Sequence, residues 1–335
     1  MEVCVVKVAL DALGGDFAPS VVLEGAVNAV NKDSNLHIVL CGPEAEVKAG
    51  LEKLGYSGNG ISVVDAPDPV AMDEHPVQVL KKKPHSGLVT CVALQKMGKV
   101  DASVSAGNSG AMMASCLMLL GKTTDKFSRP PIGCVIPTVD RQIVLVDAGA
   151  NVDERASTLV DFAIAGSAFY QTYYNCEKPK VGLLNMGEEE HKGPAVLQEA
   201  YQLLKNAPVN FIGNIEGEDL LMGKADVVVS SGYTGNVVLK MIEGFYEVHQ
   251  KMFGTIDSEA GRRFEEMWDY RMTGGALLLG LNGTGIIAHG RSDALAIEKA
   301  VEVAAKYAAC GVAKNVNARL AEIKDDAEAA PATNP

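Results

Sequence analysis

The amino-acid sequence predicts an α/β protein with a parallel-rich sheet that is covered by helices on both faces. The main observation is a recurring series: a short β-branched run, then a turn of Gly, Asn or Asp, then an amphipathic helical stretch. The 335-residue chain is 47% hydrophobic, and its 34 glycines favour tight loops and close backbone approaches. No evident linker interrupts the series.

The N-terminal part shows this pattern from its first strand onward. A helix is predicted to begin near Pro19 and Ser20, because Pro is favoured in a first helical turn. The predicted elements are, in order, strand Val3–Leu10, turn 11–16, the helix from about Ser20, strand His37–Leu40, turn 41–43, helix Glu44–Leu54, strand Ile61–Asp65, strand Ala102–Ser105, turn 107–110 and an apolar helix to about Leu120.

The C-terminal part continues the series and adds a charge-rich helical pair. The next elements are strand Gln142–Val146, turn 147–153, a helix to about Tyr174, strand Lys180–Asn185, turn 186–193, helix Pro194–Asn206, strands Asn210–Gly213 and Ala225–Ser230, and turn 231–236. Residues 237–272 predict two helices with a break near Gly254, which form a projecting hairpin. Strand-like sequence over Ala276–His289, broken at 282–283, precedes a closing helix Ser292–Ala309.

We expect one catalytic domain over residues 1–320. The last segment, 321–335, places four acidic residues among Ala and Pro, and it predicts a mobile acidic tail.

Composition excludes several classes of protein. The net charge is −12 and aromatic residues make up 5%, which argues against nucleic-acid binding. The seven cysteines include no C-x-x-C pair, so we expect buried free thiols in a reducing compartment. The N-terminus lacks a signal-peptide pattern and no apolar run has the length of a membrane span, so we expect a cytoplasmic protein.

Four turns, 11–16, 105–110, 147–153 and 231–236, combine Gly with Asn, Ser, Thr or Asp between a strand and a helix. Such turns lie at the carboxyl edge of a parallel sheet, where ligands bind, and helix N-termini favour anions. An ordinary structural role also explains any one of these turns, because Gly and Asn are common turn residues. The recurrence of the composition predicts an anion site.

Several familiar motifs are absent. Leu120–Thr123 resembles the end of a P-loop, but it ends a predicted helix instead of opening one. Gly283–Ala288 matches G-x-G-x-x-A, yet strand-like residues occupy the place of the helix. The sequence contains no H-E-x-x-H and no G-x-S-x-G, so neither a metal site nor a covalent Ser or Cys nucleophile is predicted. A bound phosphate is then a candidate nucleophile.

Eight short motifs occur in a fixed order along residues 3 to 312. They are Asp11-Ala-Leu-Gly-Gly-Asp16, Met72-Asp-Glu-His-Pro76, Ser105-Ala-Gly-Asn-Ser-Gly110, Arg129-Pro-Pro-Ile132, Val146-Asp-Ala-Gly-Ala-Asn151, Asn185-Met-Gly-Glu-Glu-Glu190, Gly213-Asn-Ile-Glu-Gly217 and Ser231-Gly-Tyr-Thr-Gly-Asn236. In this order they resemble the PlsX family, the acyl-carrier-protein:phosphate acyltransferases of bacterial phospholipid synthesis.

The resemblance implies that acyl-ACP and inorganic phosphate react to give acyl phosphate and free ACP, without a cofactor. It also implies a Rossmann-like fold related to phosphate acetyltransferases and to isocitrate/isopropylmalate dehydrogenases. Family members are homodimers, and some associate with the membrane surface.

The loop positions and the resemblance together nominate the site residues. The catalytic candidates are Lys192, Asn108, Asp11 and His289, and Asp147 is a further candidate for orienting donors. Lys192 has an alternative role as a surface lysine that balances three Glu residues, and His289 has an alternative structural role at a strand end. The candidates for binding substrate or phosphate are Gly14, Gly15, Asp16, Ser109, Asn151, Asn185, Thr234 and Asn236.

Acidic ACP requires a local basic patch on this acidic chain. The candidates lie on the hairpin, at Arg262, Arg263, Arg271 and Lys251, and Lys81–Lys83 is a second choice. The hairpin tip, 252–257, carries few apolar residues, and stable anchoring usually takes more than one signal. We therefore expect at most transient contact with the membrane or with a glycerol-3-phosphate acyltransferase.

Three other functions stay open at this point. A short-chain acyl-CoA:phosphate acyltransferase would share the fold and the chemistry. A decarboxylating dehydrogenase would need an Asp cluster for Mg²⁺, whereas the Asp residues here are scattered. A non-catalytic scaffold would bind ACP or an anion without turnover.

Overall fold

The computed structural model describes residues 5–123, 129–254 and 256–329, and it confirms the α/β class. The chain forms two compact units, each made of two stretches of sequence. The first unit comprises residues up to Gly121 together with Phe245–Cys310, and the second comprises Lys122–Gly244 together with the residues from Gly311 onward. The prediction of a single catalytic domain over 1–320 stays a prediction.

Strands and helices alternate through most of the described chain. The strands are β1 (Val6–Asp11), β2 (Leu36–Gly42), β3 (Ile61–Asp65), β4 (Ala102–Ser105), β5 (Ile132–Pro137), β6 (Gln142–Val146), β7 (Lys180–Leu184), β8 (Asn210–Ile215), β9 (Val227–Val229), β10 (Ala276–Leu278) and β11 (Thr284–Ile287). The α-helices are α1 (Ser20–Lys32), α2 (Glu44–Lys53), α3 (Pro76–Lys82), α4 (Gly87–Lys96), α5 (Ser109–Ser115), α6 (Ala156–Tyr174), α7 (Ala195–Leu204), α8 (Gly217–Leu221), α9 (Gly232–Phe253), α10 (Glu259–Trp268), α11 (Ala294–Ala309) and α12 (Val312–Ala329). A π-helical turn extends α5 over Cys116–Leu120, and a 3₁₀ turn spans Tyr270–Thr273.

The first unit arranges its strands in the order β3-β2-β1-β4-β11-β10. All neighbouring pairs are parallel except β10 with β11. The carboxyl ends of β1, β4 and β11 therefore meet at one edge of the sheet. Central positions such as Val8 and Leu10 are fully buried, as expected for a parallel sheet that helices cover on both faces.

The second unit arranges its strands in the order β5-β6-β9-β7-β8. Only β5 runs antiparallel to its neighbour β6. The long helix α6 is buried along most of its length, and α12 packs against it. The loops after β6 and β9 consequently leave the sheet side by side.

The predicted hairpin is present as α9 and α10. The two helices pack through ring contacts, which include His249 with Phe264 at 4.3 Å and Phe245 with Trp268 at 6.5 Å between centroids. The hydroxyl of Ser258 caps α10 by accepting a hydrogen bond from the Gly261 amide. Thr255, at the predicted break, lies outside the described residues. Within the parts of the chain that the structure describes, no helix is long and apolar enough to cross a membrane.

Several helices and strands of the structure are not predicted from the sequence. Helix α4 is apolar on most sides, so it shows little helical periodicity, and Pro130 and Pro131 obscure the start of β5. Helix α12 continues to Ala329, well into the segment that we expected to be a mobile tail. Its Ala, Glu and Lys residues have high helix propensity, which explains the difference. Residues 330–335 of the predicted tail lie outside the described residues.

Candidate active site

Three loops meet at the sheet edge of the first unit, after β1, β4 and β11. The Ala288 amide donates to the Ser105 carbonyl at 2.9 Å, which ties the β11 loop to the β4 loop. The Asp16 amide donates to the Gly290 carbonyl at 2.8 Å, which ties the β1 loop to the β11 loop. The structure thus brings together seven predicted site residues, namely Asp11, Gly14, Gly15, Asp16, Asn108, Ser109 and His289.

The carboxylate of Asp11 lies at the centre of this edge and is almost fully buried. The Ser105 hydroxyl donates to its Oδ2 at 2.7 Å, and the Leu13 amide donates to its Oδ1 at 3.3 Å. The Gly107 amide in turn donates to the Ser105 hydroxyl at 3.0 Å. One carboxylate therefore orders the loop after β1 and the loop after β4.

Glycines surround the Asp11 carboxylate. A Cβ atom on Gly87 would overlap Asp11 Oδ1, and one on Gly14 would lie 2.8 Å from Oδ2, so both positions exclude larger residues. Burial raises the pKa of Asp11 to about 6, although its hydrogen bonds from Ser105 and Leu13 act in the opposite direction. The carboxylate helps to line a small pocket with Leu13, Gly14, Asp68, Val70, Gly87, Leu88 and Gly107.

Asn108 is buried, and both polar atoms of its side chain form hydrogen bonds within the protein. Its Oδ1 caps α5 by accepting from the Ala111 amide at 2.9 Å. Its Nδ2 lies 2.9 to 3.3 Å from the carbonyl oxygens of Ala71, Met72 and Glu74. The side chain thus holds the segment before α3 against the start of α5, and a catalytic role for Asn108 stays a prediction.

The neighbouring loop residues differ in exposure. Asp16 and Ser109 are exposed, whereas His289 is half-buried. The Nδ1 atom of His289 accepts a hydrogen bond from the Arg291 amide at 3.1 Å. The backbone of Gly15 has a φ of 109°, a conformation that favours glycine.

The second unit has its own buried carboxylate, Asp147, directly after β6. Asp147 accepts hydrogen bonds from the amides of Ile132 at 2.8 Å and of Asn151 at 2.7 Å, and from Asn151 Nδ2 at 3.0 Å. Burial raises the pKa of Asp147, and these hydrogen bonds partly oppose that shift. The described contacts of this carboxylate therefore hold its own loop and join that loop to the start of β5.

The β9 loop packs onto the Asp147 loop. The Ser230 hydroxyl donates to the Asp147 carbonyl at 3.1 Å. The Gly232 amide, at the start of α9, donates to the Asn151 carbonyl at 2.8 Å and to Glu154 Oε1 at 3.0 Å. Thr234 and Asn236 are exposed in the first turns of α9, which begins at Gly232 inside the predicted turn 231–236, and Asn236 packs beside Gly149. Asn151 on the Asp147 loop therefore lies close to the start of α9, which carries Thr234 and Asn236.

Lys192 and Asn185 share the loop after β7. Asn185 Nδ2 donates to the Lys192 carbonyl at 3.1 Å, while its Oδ1 accepts from the Met186 amide at 2.8 Å. The Lys192 ammonium lies 3.9 Å from a Glu189 carboxylate oxygen, and 40% of the side chain is exposed. This ion pair matches the surface role that the sequence also allowed. A catalytic role for Lys192 stays a prediction.

The four basic candidates for ACP binding have different environments. Arg271 is held between Asp269 and Asp293, at 2.6 Å and 2.9 Å, and these partners raise its pKa. Arg262 pairs with Asp257 at 3.0 Å. Arg263 and Lys251 are exposed on α10 and α9. These last two offer the more accessible positive charge.

Sequence reasoning missed several residues that shape these loops, chiefly Ser105, Gly87 and Glu154. Ser105 stands at the end of a strand directly before a Gly-Asn turn, a position that signals a loop-ordering hydroxyl. Gly87 begins a helix that was not predicted, and Glu154 acts on a loop about eighty residues away. Among the described residues, no group of three His, Cys, Asp or Glu side chains is placed to hold a metal ion.

Comparisons with known proteins give a consistent result. A family model described as "Fatty acid synthesis protein" matches residues 6–315. The phosphate acyltransferase of Thermodesulfovibrio yellowstonii is 42% identical over 335 residues, which cover 96% of this chain and 95% of the relative. The phosphate acyltransferase of Dictyoglomus turgidum is 42% identical and covers 95% of this chain and 99% of the relative.

Solved structures are similar in fold. The EutD phosphotransacetylase from Staphylococcus aureus has a TM-score of 0.62 at 19% identity and covers 90% of this chain and 94% of its own. A 4-hydroxythreonine-4-phosphate dehydrogenase from Klebsiella pneumoniae has a TM-score of 0.54 at 13% identity, with coverage of 91% and 98%. At these identities the likeness concerns the fold alone.

Proposed function

This chain belongs to the fatty acid synthesis protein family, the PlsX family of phosphate acyltransferases, and from that premise we propose that it moves a fatty acyl group from acyl-ACP to inorganic phosphate. The chain is an acyltransferase of lipid biosynthesis, and the family model matches nearly the whole sequence.

The observation that carries the proposal is the meeting of the β1, β4 and β11 loops around the buried Asp11 network. This edge presents backbone amides, the Ser109 hydroxyl and the N-terminus of α5, and these groups favour an oxyanion. We assign Gly14, Gly15, Asp16 and Ser109 to phosphate binding. Asp11 and Asn108 act as positioning residues, because their polar atoms already hold the loops.

The proposed reaction needs no enzyme-bound intermediate. A phosphate oxygen attacks the thioester carbon and forms a C–O bond, and the electrons of the carbonyl move to its oxygen. The tetrahedral intermediate then collapses, the C–S bond breaks, and the thiolate of ACP leaves and takes up a proton. Holding both substrates in place can supply several kcal/mol of barrier reduction, of order 7 or more in favourable cases.

The negative charge on the thioester oxygen requires donors. We propose that Asn151, Thr234, Asn236, Asn185 and Lys192, which all lie in the second unit, take part in substrate binding. This assignment is supported by the position of these residues after parallel strands and by the exposure of Thr234 and Asn236. Loss of one such donor typically lowers the rate roughly 100- to 1,000-fold.

Cysteine chemistry is not used in this scheme. Burial raises the pKa of Cys116 and of Cys134 to about 12, and it also raises the pKa of Cys91. A buried neutral thiol is a poor nucleophile. These residues therefore serve the core, in line with direct attack by phosphate.

The partners follow from the reaction. ACP is acidic, and the exposed Arg263 and Lys251 supply the positive charge for docking on the hairpin. A homodimer is supported by three exposed apolar residues on one face of α9, at Phe245, Val248 and Met252, since such a stripe is typical of a covered surface. Contact with the membrane or with a glycerol-3-phosphate acyltransferase is proposed as transient only.

The test is a direct comparison of acyl donors. Purified protein is incubated with phosphate and either palmitoyl-ACP or butyryl-CoA, and both free thiol and hydroxylamine-reactive acyl phosphate are measured. We expect rapid phosphate-dependent turnover of palmitoyl-ACP, a large loss in Asp11→Ala, and no loss in Lys306→Ala, which alters an exposed lysine on α11. Preference for butyryl-CoA would reassign the substrate, and ACP binding without turnover would indicate a scaffold.

A further inference from the structure

We infer that residues 288–293, here called the connector loop, hold the phosphate loops of the first unit against the helical hairpin, and that Arg271 and Arg291 are positioning residues for phosphate binding. The phosphate loops are those after β1 and β4. The inference rests on the proposed acyl transfer, which assigns these two loops to phosphate.

The backbone of the connector loop is bonded to both phosphate loops. The Ala288 amide donates to the Ser105 carbonyl at 2.9 Å, and the Gly290 carbonyl accepts from the Asp16 amide at 2.8 Å. A Cβ atom on Gly15 would lie 3.2 Å from the Gly290 carbonyl oxygen, so the two backbones are in close contact. A displacement of the connector loop would therefore displace the backbone around Asp16.

Alternate side chains of the connector loop contact the hairpin and the turn that follows it. The rings of His289 and Tyr270 lie 6.4 Å apart between centroids. The Arg291 guanidinium lies 3.2 Å from Glu247 Oε1, which belongs to α9. The connector loop thus has the hairpin on one side and the phosphate loops on the other, and all of these residues belong to the first unit.

Arg271 fixes the last residue of the connector loop, Asp293. Its Nε and Nη2 atoms donate to the two carboxylate oxygens of Asp269 at 2.9 and 2.6 Å, and its Nη1 donates to Asp293 Oδ2 at 2.9 Å. Asp269 is buried, and Asp293 caps α11 by accepting from the Ala296 amide at 2.9 Å. Because both carboxylates are held elsewhere, the guanidinium joins the end of the hairpin to the start of α11.

The shape of the Arg271 side chain separates this role from a role as an ACP contact. Lys keeps the positive charge but cannot reproduce the planar fork that bonds two carboxylates at once. If Arg271 acted on ACP through its charge, Arg271→Lys would keep phosphate binding intact. We expect Arg271→Lys to raise the KM for phosphate about tenfold and to leave the KM for palmitoyl-ACP within about twofold of wild type.

The ion pair of Arg291 with Glu247 allows a rescue experiment. Both side chains are partly exposed, so we expect Arg291→Gln to raise the KM for phosphate only about threefold. Arg291→Glu should have a larger effect, because two carboxylates then face each other, and the added substitution Glu247→Arg should restore most of the loss. Arg319→Gln removes an exposed ion pair on α12 and is the control that should leave both KM values unchanged.

Hydrogen exchange measured by mass spectrometry gives a second readout that needs no turnover. We expect faster exchange of the amides in 14–18 and 288–293 in Arg271→Lys and Arg291→Gln, and no change in these segments in Arg319→Gln. Absence of acyl transfer in wild type would refute the proposed function, whereas the exchange rates would still decide whether the hairpin holds the connector loop.

Three results would overturn the inference. One is exchange at wild-type rates in both segments of the Arg271→Lys and Arg291→Gln variants. Another is an equal rise in the KM for phosphate and for palmitoyl-ACP in these variants, since that pattern indicates a general loss of structure. The third is a charge-exchanged pair, Glu247→Arg with Arg291→Glu, that is no better than Arg291→Glu alone.

Discussion

Ser105 Oγ donates a 2.7 Å hydrogen bond to Asp11 Oδ2, and this bond joins the loops that follow two adjacent parallel strands. The Gly107 amide donates to the same hydroxyl, so the carboxylate also orders the backbone of the second loop. A buried carboxylate that serves only as an anchor is costly, which explains why burial raises its pKa. The geometry of the proposed phosphate site depends on this network.

The first prediction concerns the stability of the Asp11 network. The folded-state pKa of about 6 exceeds the ordinary value of 3.8, so the protonated carboxyl stabilises the fold. That contribution is complete below the unfolded-state pKa and disappears as the pH rises through the folded-state pKa. Relative to Asp11→Asn, the free energy of unfolding of wild type should fall by about 2 kcal/mol between about pH 4 and about pH 7.

Urea unfolding of both proteins across this pH range provides the measurement, and the exposed Asp33→Asn variant is the control. Parallel pH dependences for wild type and Asp11→Asn would show that the Asp11 carboxylate is not the source of the effect.

The second prediction separates the two roles of Asn108. Asn108→Ser keeps an oxygen that can cap α5 but loses the three hydrogen bonds to the segment 71–74, whereas Asn108→Ala loses both. We expect Asn108→Ala to be less stable than Asn108→Ser by about 1 kcal/mol, because only the latter retains a cap. Both variants should raise the KM for phosphate and increase proteolytic cleavage within 70–76. A Ser variant that behaves like wild type would show that capping alone matters.

The third prediction concerns the reactivity of the thiols. Iodoacetamide should modify the exposed Cys310 in the native protein and spare Cys91, Cys116 and Cys134, whose burial raises their pKa values. Peptide mapping by mass spectrometry measures the modification at each site, and urea-unfolded protein is the control in which these cysteines should react. Phosphate-dependent transfer should survive the native reaction. Loss of activity with modification of a buried cysteine would contradict direct attack by phosphate.

The fourth prediction concerns the docking of ACP on the hairpin. Arg263→Glu and Lys251→Glu should each raise the KM for palmitoyl-ACP by about fivefold to tenfold and leave kcat nearly unchanged, because a surface charge mainly affects encounter. The effect should shrink at high ionic strength. Lys306→Glu, at an exposed position on α11, makes the same charge change elsewhere on the first unit. Equal increases in KM for all three variants would place docking outside the hairpin.

Much of the fold followed from local sequence signals. The observed bounds of strands β3, β4 and β6 agree with the predicted ones, and α6 ends near the predicted position, because a Gly, Asn or Asp lies at one end of each element. Helix α4 could not be predicted because it is buried on most sides, so its sequence lacks the alternation of polar and apolar residues that marks an amphipathic helix. Helix α12 was missed because acidic residues near a C-terminus suggested a solvated tail.

The loops of the candidate site could be predicted from the sequence, but the roles of individual side chains could not. The turns at 11–16 and 105–110 stood out by composition, but the use of Asn108 as a clamp depends on a segment more than thirty residues away in the sequence. The ion pairs that hold Arg271 likewise depend on Asp293, which lies at the N-terminus of α11. Contacts of this kind arise from tertiary packing and leave no local signal.

Rapid-quench measurement of thiol release tests whether phosphate itself attacks the thioester. Enzyme and palmitoyl-ACP are mixed at comparable concentrations, with and without phosphate, and free ACP thiol and acyl phosphate are measured over the first turnover. We expect no thiol release without phosphate and one acyl phosphate for each thiol released when phosphate is present. A burst of thiol close to the enzyme concentration without phosphate would reveal an acyl-enzyme and contradict the account, as would thiol release without acyl phosphate.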